Sequence, residues 1–146
     1  MTAISWKNAV NGDWSVPTDW TPSGPPNSFI AIVNINASGS YTVTIASSES
    51  FKADTVTLDA SSAVLAIDGT LTVKGGFTNT AGTADVSGQS KQVTVDGGFA
   101  NAGTLDVDSG NSAKPASLTI DGELTDTGTV QIGDGSVTAH SSRPGA

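Results

Sequence analysis

A chain of 146 residues, 36% apolar, 5% aromatic and 14% charged, is long enough for one domain with its own core but lean for a globular enzyme. Its net charge of −8, with Lys and Arg totalling 6, leaves no basic face for nucleic acid or an anionic membrane surface. It has no cysteine, which excludes disulfides and thiolate sites, and no run near the roughly 18 apolar residues of a membrane span, so membrane insertion is not expected either.

Residues 1–42 hold all three tryptophans, Trp6, Trp14 and Trp20, and four of the six prolines. The opening "MTAISWKNAVNGDW" has no charged region followed by an apolar one, so it does not read as a signal peptide. The piece "NGDWSVPTDWTPSGPPNS" reads as irregular backbone pinned by large aromatic rings. Its expected role is a hydrophobic cap over one end of the fold. The rival role is an aromatic platform, with Trp6, Trp14 and Trp20 stacking on the apolar face of a sugar. "FIAIVNI" (29–35) and "SYTVTI" (40–45) look like the first true strands.

Residues 43–135 repeat themselves. "LTV" (71–73), "VTV" (93–95) and "LTI" (118–120) alternate apolar residues with Thr at period two, the mark of a strand. Each leads into Lys74-Gly, Asp96-Gly or Asp121-Gly, then Phe77, Phe99 or Leu124, then Asn79, Asn101 or Asp126. Gly82, Gly103 and Gly128 follow, and then Val86, Val107 and Ile132. A weaker copy, Val43-Thr-Ile45, Phe51 and Val56-Thr-Leu58, precedes these, so that Phe51, Phe77, Phe99 and Leu124 stand 26, 22 and 25 residues apart. Units this short cannot bury a core alone and must stack.

The fold expected is all-β: a right-handed parallel β-solenoid with a Trp-rich N-terminal cap. Its inward columns are Val73/Val95/Ile120, Phe77/Phe99/Leu124 and Val86/Val107/Ile132. Asn79, Asn101 and Asp126 stack at a turn. The repeated glycines mark corners with positive φ. The rival fold is an antiparallel sandwich with hairpins at "VDGG", "IDGE" and "IDGT". "SGQSKQ" (87–92) and "DSGNSAKPAS" (108–117) fall at one place in successive coils and project from one face. Residues 136–146 read as a polar, frayed tail beyond an uncapped last coil.

Catalytic signals are sparse. The one histidine, His140, and the one arginine, Arg143, lie in the tail, and neither a nucleophile elbow nor a phosphate loop is present. The carboxylates are the open chemistry. Asp96 and Asp121 should lie one above the other, with Lys74 a coil below, and Asp85 and Asp106 should form a second short ladder ending in Gln131. Stacked aspartates repel, and a calcium ion on Asp96 and Asp121 would relieve that. Calcium is the only cofactor considered, and solvated surface carboxylate is the simpler reading.

The tryptophan-rich opening, then "SYTVTI", then "LTVKGGFTNTAGTADV"-like repeats, resembles the passenger regions of bacterial autotransporters and related secreted adhesins over most of residues 6–135. The resemblance implies a β-helix on or outside the bacterial cell that serves adhesion, biofilm formation or display. A non-enzymatic structural or adhesive module is therefore expected, meeting a glycan or a host or cell-surface partner. Two alternatives stand beside it: a carbohydrate-binding or carbohydrate-active β-helix, and a module that self-associates through its solenoid ends.

Overall fold

The computed structural model describes residues 2–87, 90–108 and 115–133. The strands are β1 (Thr2–Trp6), β2 (Gly12–Asp13), β3 (Trp20–Thr21), β4 (Ala31–Ile35), β5 (Tyr41–Ile45), β6 (Ser50–Ala53), β7 (Thr55–Leu58), β8 (Ala63–Ile67) and β9 (Thr70–Val73). They continue as β10 (Phe77–Asn79), β11 (Thr83–Val86), β12 (Gln92–Val95), β13 (Phe99–Asn101), β14 (Thr104–Val107), β15 (Ser117–Ile120), β16 (Leu124–Asp126) and β17 (Thr129–Ile132). A single 3-10 turn, Pro17–Asp19, precedes β3.

The strands stack into three sheets that wind as a parallel β-solenoid. One sheet runs β16-β13-β10-β7-β4-β1-β3, the second β17-β14-β11-β8-β5-β2, and the third β15-β12-β9-β6. Four complete coils, each with one strand per sheet, begin at Ala31, Thr55, Phe77 and Phe99. Every described pairing is parallel except β1 with β3, which removes the antiparallel sandwich. Each coil adds one inter-strand spacing, about 4.8 Å, along the axis.

Register turns the period-two pattern into columns. In the first sheet Ile4, Val33, Val56, Phe77, Phe99 and Leu124 stack on one another. In the second, Val43, Leu65, Ala84, Leu105 and Val130 form one column, and Ile45, Ile67, Val86, Val107 and Ile132 another. In the third, Phe51, Leu71, Val93 and Leu118 stand beside Ala53, Val73, Val95 and Ile120. These chains fill the interior, and most of the aliphatic members are fully buried. Phe77 and Phe99 stack with ring centroids 4.6 Å apart and planes within 5°.

The columns expected from the three later repeats all form, but the first copy is registered differently. Val56, not Phe51, lies beneath Phe77, and Phe51 stacks under Leu71 in another sheet. Val43 and Ile45 likewise belong to the second sheet, not the third. An apolar-Thr-apolar triplet suits the inward face of any of the three sheets, so the triplet alone does not say which. Stacking also starts earlier than residue 43: β4 and part of β5 lie inside the segment 1–42, and β1 is already a layer of the first sheet.

The repeated glycines serve close approach, not positive φ. Among the described glycines only Gly39 (φ 141°) and Gly133 (φ 64°) lie in the left-handed region. A Cβ on Gly97 would sit against the carbonyl oxygen of Gly75, and one on Gly122 would lie 2.5 Å from that of Gly97. Gly82, Gly103 and Gly128 form the second such stack.

Tyr41, the only tyrosine, is 3% exposed, and among the described residues its buried hydroxyl has at most a weak contact with the Ala37 backbone. Burial raises its pKa above 10.0, with the Ala37 backbone offsetting part of the rise. A folded pKa above the unfolded one means that this group's contribution to stability is intact below about pH 10 and is lost as pH climbs past it. Tyr41→Phe should be neutral or stabilising by up to ~1 kcal/mol at neutral pH, because it removes a buried hydroxyl without changing the ring. The difference should widen above pH 10 in denaturant titrations of the two proteins.

Candidate functional site

Three features stand out from the regular stack: the tryptophan end, a buried amide ladder, and carboxylates at the corners. The tryptophan end is built by the 3-10 turn and by β3, which folds back antiparallel on β1 and sets Trp20 opposite Trp6. Trp6, Trp14 and Trp20 are 2%, 0% and 2% exposed. The Trp6 and Trp20 rings meet edge to face at 5.0 Å, Trp14 and Trp20 at 4.9 Å, and Trp14 lies over Phe51 at 5.8 Å. Each indole N–H donates to a backbone carbonyl: Trp6 to Val10 (3.1 Å), Trp14 to Pro26 (2.9 Å) and Trp20 to Trp14 (2.8 Å).

Buried aromatic rings with every N–H satisfied are core, not a stacking platform. No indole face is left for a sugar, so the ligand-binding role considered for Trp6, Trp14 and Trp20 gives way to the cap. The cap also covers the other two sheets. Trp14 N–H donates to the Thr44 carbonyl, and Ser28 N–H donates to the Lys52 carbonyl on the edge strand β6. Asp13 helps fix this segment by accepting from the Ser15 N–H at 2.9 Å. Burial works to raise the Asp13 pKa, but the Ser15 hydrogen bonds and a contact with Glu49 outweigh it and hold the carboxyl below its usual range.

The amide ladder occupies an inward column. Ile35, Leu58, Asn79, Asn101 and Asp126 stand in register, so hydrocarbon gives way to amide and then to carboxylate along one line. Asn79 and Asn101 are 0% and 2% exposed, the only buried polar or charged residues among those described. Asn79 Nδ2 donates to the Gly82 carbonyl (3.0 Å), to Asn101 Oδ1 (2.9 Å) and to the Thr104 carbonyl (3.0 Å), and its Oδ1 accepts from Gly82 N–H (3.0 Å). Asn101 repeats the set, donating to the carbonyls of Gly103 (3.4 Å) and Thr129 (3.0 Å) and to Asp126 Oδ1 (2.9 Å). The amides are thus consumed in holding coil to coil. Their depth was visible in the spacing: each lies two residues after a core phenylalanine and so on the same face.

Outside this ladder, Thr78, Ala100 and Thr125 form one wall and Thr80, Ala102 and Thr127 the other wall of a shallow groove. Asn79 and Asn101 of the ladder lie at its floor, and Thr and Ala side chains make up the rest of the lining.

The acidic corners hold the predicted carboxylates. Asp96 N–H donates to the Val73 carbonyl (2.8 Å), Asp121 N–H to Val95 (2.9 Å) and Lys74 N–H to Ala53 (3.0 Å), so the three occupy equivalent places in successive coils. All three are exposed. Among the described residues no group of three or more acidic, His or Cys side chains is placed to share a metal ion. Asp96 and Asp121 together offer at most four oxygens, against the roughly six to eight that calcium takes. Asp85, Asp106 and Gln131 are in register as expected. Ser87 donates to Asp68 at 2.8 Å, one corner further on. His140 and Arg143, with most of the loop 108–117 and the tail 136–146, lie outside the described residues.

Comparison with family models, with curated proteins and with solved structures finds no match to this chain.

Proposed function

We propose that the chain is a non-enzymatic structural module, a stiff solenoid segment of a bacterial surface or secreted protein that supports adhesion or display through its shape. One observation carries the reading: all three sheets are paired in register along a single axis, and their inward residues are spent on stacking. Inward positions are apolar, mostly Val, Leu, Ile, Phe and Ala, or belong to the amide ladder. Outward positions change freely, as from Thr44 to Ala66, Asp85, Asp106 and Gln131 along one line. A scaffold has this division, with a fixed interior and a replaceable surface. The resemblance of the repeats to autotransporter passengers agrees with it.

Single-molecule pulling on the module held between two inert handles tests the proposal. A load-bearing stack gives discrete unfolding events as coils are released. A smooth, featureless extension like that of an unstructured chain contradicts the role.

A further inference from the structure

One dipeptide in the tryptophan segment combines two demands that make it chemically labile. Asn11 precedes Gly12, and no other asparagine in the chain is followed by glycine. Both residues are fixed by what they touch. Asn11 Oδ1 accepts from the Thr42 N–H at 2.7 Å, which ties the residue before β2 to β5. Gly12 lies against the Trp6 ring. A Cβ there would stand 2.7 Å from Asp19 Oδ2 and 3.0 Å from Trp6 Cη2 and Cζ2, so no larger residue fits without a shift. The fold therefore asks for Asn-Gly at this place.

The same contacts favour a reaction between the two residues. The backbone nitrogen of Gly12 can attack Cγ of the Asn11 amide and close a succinimide ring. Negative charge gathers on Oδ1 as that bond forms, and the Thr42 N–H already donates to this oxygen. Glycine offers its nitrogen with no side chain in the way and with wide backbone freedom. Asn11 is exposed, so water reaches it. β2 is two residues long, so freeing Gly12 from its register with Val43 is a small local opening.

We propose that Asn11 is a self-modifying site that converts, without an enzyme, to aspartate and isoaspartate. The bond from Gly12 N to Asn11 Cγ forms, the Cγ–Nδ2 bond breaks, and ammonia leaves with the Gly12 amide proton. Water then opens the ring. Cleavage between Gly12 N and Cγ gives aspartate on a normal backbone. Cleavage between Gly12 N and the Asn11 backbone carbonyl carbon gives isoaspartate, with the chain running through Cγ. One water is consumed and one ammonia released. Isoaspartate lengthens the backbone by one carbon where Gly12 is held against Trp6 and Asp19, and so loosens the tryptophan segment.

Asn27 is the natural control. It is also exposed, and its Oδ1 accepts from the Lys52 N–H at 3.1 Å, but serine follows it. The test ages the folded full chain at mildly alkaline pH. Peptide mass mapping follows each asparagine, and isoaspartate-specific enzymatic methylation counts the rearranged product. Residue 11 converts about 10-fold faster than residue 27. Asn11→Gln, whose longer side chain closes a larger and slower ring, gains no isoaspartate at this place. Converted wild type unfolds at a lower denaturant midpoint than fresh protein. Asn11→Asp, with the added charge but a normal backbone, loses less. The proposal is overturned if residue 11 keeps its amide as long as residue 27, or if Asn11→Gln gains as much isoaspartate as wild type. It is equally overturned if converted and fresh protein unfold together, or if Asn11→Asp falls as far as the converted protein.

Discussion

Replacing Trp14 with alanine will remove about 3–5 kcal/mol of stability, a large share of the roughly 5–15 kcal/mol that holds a domain together. Trp14 is fully buried and touches the Trp20 ring on one side and the Phe51 ring on the other. Truncation empties the centre of the cap. It also leaves the Pro26 carbonyl without the indole N–H that Trp14 supplies at 2.9 Å. The backbone bonds around it, Trp14 N–H to Thr44 and Trp20 Nε1 to the Trp14 carbonyl, fix its position, so collapse around the cavity is limited. For a chain of this length the loss lowers the thermal midpoint by about 10 °C. Trp14→Phe, which refills part of the space, should fall between. Thermal and denaturant unfolding followed by far-UV circular dichroism checks this. A Trp14→Ala protein within 1 kcal/mol of wild type would mean that the cluster is not core.

The second large effect comes from a single methyl group. Gly103→Ala should cost about 3 kcal/mol, although Gly→Ala at an unstrained site commonly stabilises. The added carbon would press on the Gly82 carbonyl oxygen and lie 3.0 Å from both the Ala81 carbonyl carbon and Asn79 Nδ2. All three belong to the coil beneath. That coil cannot retreat, because Gly82 O accepts from Thr104 N–H (2.9 Å) and Asn79 is tied into the ladder. Gly76→Ala is the matched control: its nearest neighbour is the Gly98 carbonyl oxygen at 3.3 Å, and it should cost less than 1 kcal/mol. Equal midpoints for the two variants would show that the coils are not held at the described spacing.

How much of this was legible in the sequence depended on what each residue type can signal. Val73/Val95/Ile120, Phe77/Phe99/Leu124 and Val86/Val107/Ile132 could be read because a side chain repeated at one place in a stack must fill the same space. The sheet that Phe51 joins is not legible, because its coil differs in strand and corner lengths from the later ones and an apolar triplet carries no mark of its sheet. The role of the repeated glycines is not legible, because glycine answers two needs, unusual backbone angles and close approach, and a sequence shows only the residue. The burial of Asn79 and Asn101 was hidden by the ordinary habit of Asn to sit at exposed turns, although its phase with Phe77 and Phe99 gave the depth. For the tryptophans, a cap and a sugar platform use the same residues. The burial of all three rings, with each indole N–H satisfied inside the fold, separates them.

The central claim is that the described residues form one stack of coils, with the tryptophan cluster packed over its N-terminal layers. Residue-resolved amide hydrogen exchange tests it most directly, because protection follows the free energy of local opening. The stack predicts the slowest exchange in the buried layers, at Val33, Val43, Val56 and Leu65. Protection should decline coil by coil to its lowest in Leu124–Asp126 and Thr129–Ile132. Uniform protection from end to end, or the slowest amides at 124–132, would contradict it.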